Sequence, residues 1–304
     1  MRGPGTVRQK NIAILAALGA ALLYAVSIPL SPFLLRQTGP VMLAALLYLG
    51  AGVGMTLLSL ICPVPRKDRL TRRQLPFTLG MILLDIAAPI LLMLGLARAP
   101  AAHVSLLNNF EIVATSLFAL LLFRERISRR VWCAIFLITA ASMLLSFEGA
   151  QSLRFSPGSL LVLGACLCWG LENNCTRALS PKSAVQIVQV KGLFSGLGSL
   201  LVARLAGESL PDWRSLFAAM LLGFVCYGLS IFLYVRAQSV LGAARTSAFY
   251  SANPFLAAAL SLLLLRQPLA DAYPYALALM LLGLYLTVRE TLSEQSAGAG
   301  LHNG

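Results

Sequence analysis

The chain of 304 residues is 58% hydrophobic and only 12% charged, and its mean hydropathy is +0.81. Soluble domains average about 45–50% apolar and about 25% charged residues, so this composition excludes an ordinary soluble protein and indicates a polytopic membrane protein. The formal net charge is +13, but the basic residues form short clusters between apolar runs rather than one patch, which argues against nucleic-acid binding.

Ten apolar runs along the chain approach the length needed to cross a bilayer, which is about 20 mostly apolar residues. Charged clusters and Pro or Gly separate them, and the connections are too short for a sizeable soluble domain. The sequence therefore predicts an all-α integral membrane protein with ten transmembrane helices. Their predicted ranges are 12–35, 40–62, 75–97, 102–123, 131–147, 158–179, 184–206, 215–236, 243–265 and 273–289.

Basic residues are distributed unevenly between the two sides of these helices. The side that carries both termini and every second loop has about three times as many Lys and Arg residues as the other. Because cytoplasmic segments are enriched in Lys and Arg, both termini are predicted to be cytoplasmic. We expect a cytoplasmic N-terminus over residues 1–11 and a disordered cytoplasmic tail over residues 291–304.

The second half of the chain repeats the first. At a shift of 142 residues, 102–124 aligns without a gap with 244–266, and the same shift carries a Gly-x-x-x-Gly pair of helix 2 onto one of helix 7. Each half, residues 12–150 and residues 151–290, then contains five predicted helices. Because five is odd, the halves must cross the bilayer in opposite directions, and such inverted repeats are the architecture of many secondary transporters around a central cavity.

Four predicted helices carry a narrow polar stripe, since residues three and four apart are neighbours on a helix surface. Any one stripe could serve only hydrogen bonding between helices. Four stripes at positions related by the repeat instead predict that they line a shared cavity. The stripes contain Tyr24 and Ser27 on helix 1, Asn108 and Glu111 on helix 4, Trp169 and Glu172 on helix 6, and Tyr250 and Asn253 on helix 9.

Four ionisable residues fall inside predicted helices, where a charge near the bilayer centre costs about 3 kcal/mol on insertion scales. Glu172 and Lys191 come out at similar depth on adjacent helices, so an ion pair is predicted, and such a pair could be purely structural. Asp85 and Glu111 come out nearer the midplane, with no evident basic partner. We expect each of these two acids to be protonated, exposed to a cavity or hydrogen-bonded.

Two prolines and several aromatic residues complete the candidate site. Pro89 and Pro254 lie in the middle of predicted helices, and interrupted helices at the midplane often mark a transporter's binding site, although a packing kink is the alternative. Aromatic side chains at this depth are predicted to form apolar walls. The predicted substrate-binding residues are Tyr24, Ser27, Asp85, Asn108, Glu111, Trp169, Glu172, Asn173, Lys191, Tyr227, Tyr250 and Asn253.

Five segments of the chain match the pattern of a known family. They are ALLYAV at 21–26, VSLLNNFEIVATSLFALLLFRERISRR at 104–130, CLCWGLENN at 166–174, VKGLFSG at 190–196 and GAARTSAFYSANPFLAAALSLLLL at 242–265. With these segments the chain resembles the drug/metabolite transporter (DMT) superfamily, in its ten-helix form with two EamA-type halves. The resemblance implies a basket of ten helices around a central cavity, alternating access, and export across the bacterial inner membrane. In length and paired halves the chain is similar to the bacterial exporters of aromatic and other amino acids.

The leading functional prediction is an exporter of neutral amino acids, including aromatic ones, or of similar small metabolites. Acidic, basic and amide groups suit a zwitterion, and aromatic walls suit an apolar side chain. One alternative is a proton-coupled exporter of drugs or cations, with Glu111 or Asp85 as the proton carrier. An alternative of another class is a membrane scaffold or receptor that transports nothing, although such a protein would not require symmetry-related polar stripes.

The sequence also predicts that enzymatic activity, cofactors and bound metals are absent. It has neither His-Glu-x-x-His nor Gly-x-Ser-x-Gly, so we expect no enzymatic activity, and we expect no cofactor and no bound metal. The expected partners are a small-molecule substrate and the lipid bilayer, and no nucleic acid. The oligomeric state is left open, and a monomer is compatible with the sequence.

Overall fold

The described residues contain ten α-helical segments, in the order that the sequence predicts. The structure is a computed structural model, and it describes residues 7–61, 63–96, 98, 107–145, 157–266 and 269–299. Among these residues there is no β-strand. The helices are α1 Val7–Leu35, α2 Pro40–Ile61, α3 Leu75–Leu96, α4 Glu111–Leu121, α5 Arg129–Leu145, α6 Pro157–Leu179, α7 Ala184–Leu205, α8 Trp213–Leu241, α9 Ala243–Leu265 and α10 Tyr273–Ala299.

Seven of the described helices are long and apolar enough to cross a membrane, namely α1, α2, α3 and α7 to α10. The described part of α4 has 11 residues and α5 has 17, whereas α6 has 23 residues but contains the polar triplet at 172–174. The protein is therefore an all-helical membrane protein. Ten crossings, with the halves inverted, stay a prediction.

The last helix extends well beyond its predicted end at residue 289. It continues to Ala299, so that part of the segment that we predict as a disordered tail is helical here. Two bonds explain the extension locally, because Thr291 Oγ1 donates to Thr287 O at 2.7 Å and Lys10 Nζ donates to Thr291 O at 2.6 Å. The second bond ties α10 to the start of α1.

Packing between the helices is reciprocal between the two halves. Helix α2 packs against α7, and α5 packs against α10, so each contacts the helix at the equivalent place in the other half. The contact between α3 and α6 corresponds to the contact between α8 and α1 in the other half. In the same way, the contact between α4 and α6 corresponds to the contact between α9 and α1. Exchanging every helix for its counterpart leaves this pattern unchanged, as a two-fold relation between the halves would require.

Irregularities of the backbone recur at the same shift of 142 residues as the sequence repeat. A turn at 109–110 precedes α4, and a turn at 251–252 divides α9 into Ala243–Tyr250 and Asn253–Leu265. Arg124 and Arg266, which follow α4 and α9, have φ angles of 52° and 54°, values that residues other than glycine rarely adopt. The duplication therefore includes the backbone conformation.

Glycines allow α2 and α7 to cross at very short distance. A Cβ atom added to Gly192 would lie 2.4 Å from Gly52 N, and one added to Gly52 would lie 2.5 Å from Leu193 N. Such contacts let two helix backbones approach closely. The Gly-x-x-x-Gly pair of α2 has a different neighbour, because Gly50 and Gly54 face α8.

Replacing Gly192 by Ala is expected to destabilise the protein by roughly 1–3 kcal/mol, because the added methyl group meets backbone atoms that cannot move aside. The measurement is the thermal unfolding of the detergent-solubilised protein. Gly164→Ala is the matched control, since a Cβ atom there would lie 3.5 Å from Leu91 Cδ1, an ordinary contact. Equal melting temperatures for the two variants would contradict the tight crossing.

Candidate functional site

One cavity of about 400 Å³ lies among helices α1 to α9. Sites for small molecules typically measure about 300–1,000 Å³, so this cavity is large enough for a metabolite. Its wall contains 11 of the 12 predicted substrate-binding residues. These are Tyr24, Asp85, Asn108, Glu111, Trp169, Glu172, Asn173, Lys191, Tyr227, Tyr250 and Asn253.

Ser27 is the predicted residue that the structure places away from the cavity. Its side chain is buried, and its hydroxyl donates to Tyr24 O at 2.6 Å within α1. Serine often bonds to a carbonyl of its own helix in this way. Tyr24 shares the helix face but has a longer side chain, which lines the cavity.

An ion network links α3, α6 and α7 at the cavity wall. Lys191 Nζ lies 2.9 Å from Glu172 Oε1 and 3.8 Å from Asp85 Oδ1. Tyr48 Oη donates to Asp85 Oδ1 at 2.9 Å, and Thr176 Oγ1 donates to Glu172 Oε1. The predicted pair of Glu172 and Lys191 is present, whereas the expectation that Asp85 has no basic partner is wrong, because α3 packs against both α6 and α7.

Glu111, the first residue of α4, stands apart from this network. Its Oε1 accepts a hydrogen bond from Asn173 Nδ2 at 3.1 Å, and the same amide nitrogen lies 3.3 Å from Thr115 Oγ1. Within the described residues, Glu111 forms no ion pair. Among the described residues, the wall therefore carries three acids and one Lys, whose ammonium is already shared by two of the acids.

Five tyrosines form a continuous chain of ring contacts along the cavity. The ring centroids are 5.6 Å apart for Tyr48 and Tyr227, 5.1 Å for Tyr227 and Tyr24, 5.8 Å for Tyr24 and Tyr250, and 5.0 Å for Tyr250 and Tyr234. Their tilted and edge-on arrangements are those that aromatic pairs prefer. Because Tyr48 also bonds to Asp85, the aromatic wall joins the ion network directly.

Two of these tyrosines are missing from the sequence prediction. Tyr234 follows Tyr227 and Ser230 at the spacing i, i+3, i+7, which is the spacing of the other stripes, so the pattern could have revealed it. Tyr227 itself, which the sequence does predict, lies in a π-helical segment, Gly223–Leu229, and such segments are frequent at functional sites. Tyr48 lies among apolar residues in the middle of α2, with no polar residue three or four positions away, and nothing in the sequence distinguishes it.

The polar triplet of α6 divides into two roles. Glu172 and Asn173 line the cavity, whereas Asn174 is fully buried and donates to Thr115 O at 2.9 Å and to Gly170 O at 2.8 Å. The bond to Thr115 joins α6 to α4. Asn174 therefore stabilises the packing, and its two neighbours face the cavity.

Two helical segments begin on the cavity wall at equivalent positions. Glu111 begins α4, and Asn253, which is 142 residues further on, begins the second part of α9. Both line the cavity, and Asn253 Oδ1 is buried with no hydrogen-bond partner in the described part of the chain. Pro254 follows at the start of the helix, a position that suits proline, whereas Pro89 lies within α3.

Comparisons with known proteins bear on the family of the chain. The model of the "EamA-like transporter family" matches the chain twice, over residues 11–147 and 156–289. An "Uncharacterized transporter" of Methanothermobacter thermautotrophicus is 25% identical over 286 residues, which cover 88% of this chain and 83% of that protein. The "Probable UDP-sugar transporter protein SLC35A4" of Xenopus tropicalis is 37% identical over 76 residues, or 22% of this chain and 24% of that protein.

A solved structure described as "Crystal structure of protein" has the same fold. It superposes with a TM-score of 0.78 at 19% identity, covering 90% of this chain and 97% of that chain. The two family matches together span most of the sequence, and they confirm the predictions that the protein is a transporter and not an enzyme. The chain belongs to the EamA-like transporter family of the DMT superfamily.

Proposed function

We propose that this transporter exports neutral amino acids, including aromatic ones, or similar small metabolites across the bacterial inner membrane. In this proposal the chain crosses the membrane ten times as two inverted halves, residues 12–150 and 151–290, and both termini are cytoplasmic. The cavity opens to each side in turn. The reciprocal helix packing and the repeated backbone turns support the inverted halves, and the excess of Lys and Arg supports the orientation.

The observation that carries the substrate class is the pair of helix starts on the cavity wall, at Glu111 and Asn253. Glu111, an acid with no ion pair in the described residues, offers a partner for an ammonium group. Asn253 stands at a helix N-terminus, where the positive end of the helix dipole favours a carboxylate. The tyrosine chain beside them offers an apolar surface for the substrate's side chain. The cavity therefore has a complementary group for the ammonium, the carboxylate and the side chain of an amino acid.

A second candidate, a proton-coupled exporter of drugs or organic cations, is favoured by the charge of the wall. Of the described residues on the wall, three are acids and one is Lys191, which already contacts two of them, so these residues carry a surplus of negative charge when the acids are ionised. A lipophilic cation would also gain from the faces of the five tyrosines. The same surplus argues against a nucleotide sugar, whose phosphates would need free basic side chains.

Transport by purified protein in liposomes separates these candidates. We expect counterflow of radiolabelled phenylalanine, tryptophan or leucine, with competition among neutral amino acids and none by a quaternary ammonium dye. Transport of the dye with proton exchange, and of no amino acid, would support the cation exporter instead. Transport of neither substrate class would contradict both candidates, and empty liposomes provide the control.

A further inference from the structure

At one end of the cavity, small residues hold α4 and α9 together. Ala119 of α4 packs against Ala243 and Ala244 at the start of α9, and all three are fully buried. Thr115 and Thr246, on the same two helices, are also fully buried. The first part of α9 and the described part of α4 are in direct contact there. We call the three alanines the alanine contact, and the uneven distribution of basic residues predicts that it lies on the cytoplasmic side.

Glu125, in the loop after α4, bonds to both sides of the alanine contact. Its backbone N–H donates to Ala119 O at 2.8 Å, and its Oε2 accepts from the N–H of Ala243 at 2.9 Å. The first N–H groups of a helix have no partner within the helix, and an acid there also interacts favourably with the helix dipole. One residue therefore joins the end of α4 to the start of α9.

The backbone on both sides accommodates this carboxylate. Gly242 has a φ of 85°, and a Cβ atom there would lie 2.3 Å from Glu125 Oε1, so the position requires glycine. Arg124, with its φ of 52°, turns the chain immediately before Glu125. Burial raises the pKa of the Glu125 carboxyl, whereas the N–H of Ala243 and the charge of Arg177 lower it.

The carboxylate occurs in only one half of the sequence. The shift of 142 residues brings Gln267, which lies outside the described residues, to the position of Glu125. A carboxylate accepts roughly twice as strong a hydrogen bond as a neutral amide. The bond that Glu125 makes is therefore a feature of one end of the cavity.

From these contacts we propose that Glu125 is a positioning residue that keeps the predicted cytoplasmic end of the cavity closed. The inference rests on the proposed alternating access, in which this end must also open. Opening separates the start of α9 from the end of α4, so it breaks the bond between Glu125 and Ala243. The carboxylate then regains water, and the unbonded N–H of α9 becomes exposed.

A second acid, Glu208, makes a similar bond at the start of α2, away from the alanine contact. Its two carboxylate oxygens accept from Val41 N at 3.3 Å and from Met42 N at 2.6 Å, at the start of α2. Helix α2 is already fixed against α7 by the glycine crossing at Gly52 and Gly192. Glu208→Gln is therefore the matched control, because it removes the charge from an equivalent helix cap.

Labelling of a cysteine inside the cavity from each side of the membrane tests the inference. Ser142→Cys places a thiol on the cavity wall, in a background whose native cysteines have been replaced. A membrane-impermeant methanethiosulfonate reagent is applied to right-side-out and to inside-out vesicles. Glu125→Gln is expected to raise the labelling rate from the Glu125 side roughly tenfold, since a charge-assisted hydrogen bond that favours the closed form is weakened.

Two further variants keep the test decisive. Gly242→Ala crowds the same carboxylate from the side of α9 and is expected to raise the same rate, whereas Glu208→Gln is expected to leave it unchanged. An unchanged rate in both Glu125→Gln and Gly242→Ala would overturn the inference, as would an equal increase in Glu208→Gln. The assay contains no substrate, so a wrong substrate class leaves it valid, whereas a thiol that is unreactive from both sides contradicts alternating access itself.

Discussion

Replacing Lys191 by Met is expected to lower the free energy of unfolding by about 3–5 kcal/mol, because removal of one partner leaves the other charges of a buried ion pair uncompensated. Glu172 and Asp85 would both lose the one cation that they contact in the described part of the chain. The exposed fractions of the three side chains are 8%, 3% and 1% for Lys191, Glu172 and Asp85, so the remaining charges would be largely shielded from water in this structure. Denaturant unfolding in detergent micelles measures the effect.

The double variant Lys191→Met/Glu172→Gln is the matched control for this prediction. It removes one acid together with the base, and the amide oxygen of the new side chain still accepts from Thr176 Oγ1. We expect it to be more stable than Lys191→Met alone. A single variant as stable as the unmodified protein would show that water reaches the ion network, and equal instability of both variants would show that Asp85 dominates it.

Replacing Glu111 by Gln is expected to weaken the apparent affinity for an amino acid substrate by roughly 10- to 100-fold. A hydrogen bond to a charged group contributes roughly 1.5–3 kcal/mol, which corresponds to that range. The fold should persist, because the amide oxygen can still accept from Asn173 Nδ2. The measurement is the concentration dependence of counterflow in proteoliposomes, with the melting temperature recorded alongside.

Ser142→Ala is the control for this second prediction, because Ser142 lines the same cavity but carries no charge. Its half-saturation concentration should match that of the unmodified protein. If Glu111→Gln also retained the unmodified value, the ammonium of the substrate would have to bind elsewhere. If both variants lost affinity equally, the effect of Glu111 could not be assigned to its charge.

Much of the candidate site follows from the sequence because polar residues are costly inside a bilayer. Trp169 and Glu172 stand out on an apolar helix, and the repeat links their spacing to that of Tyr24 on α1. The structure brings all three to one cavity. Ser27 has the correct spacing but a different environment, since its hydroxyl bonds to a carbonyl of its own helix, whereas the Glu172 carboxylate contacts a cation that another helix, α7, supplies.

Features that depend on contacts between distant helices could not be predicted in the same way. Lys191 reaches Asp85 only because α3 packs against both α6 and α7, and no local pattern encodes that packing. Tyr48 joins the site through its bond to Asp85. The division of α9 at 251–252 lies two residues before Pro254, so proline explains the start of the second segment but not the length of the turn.

Access to the turn that divides α9 gives the most direct test that two inverted halves enclose a cavity open to each side in turn. The residue to follow is Ser251, which lines the cavity, labelled as Ser251→Cys with an impermeant reagent in vesicles of either orientation. The proposed function predicts labelling from both faces and slower labelling from both when a transported amino acid is present. Labelling from one face only, or from neither, would contradict it.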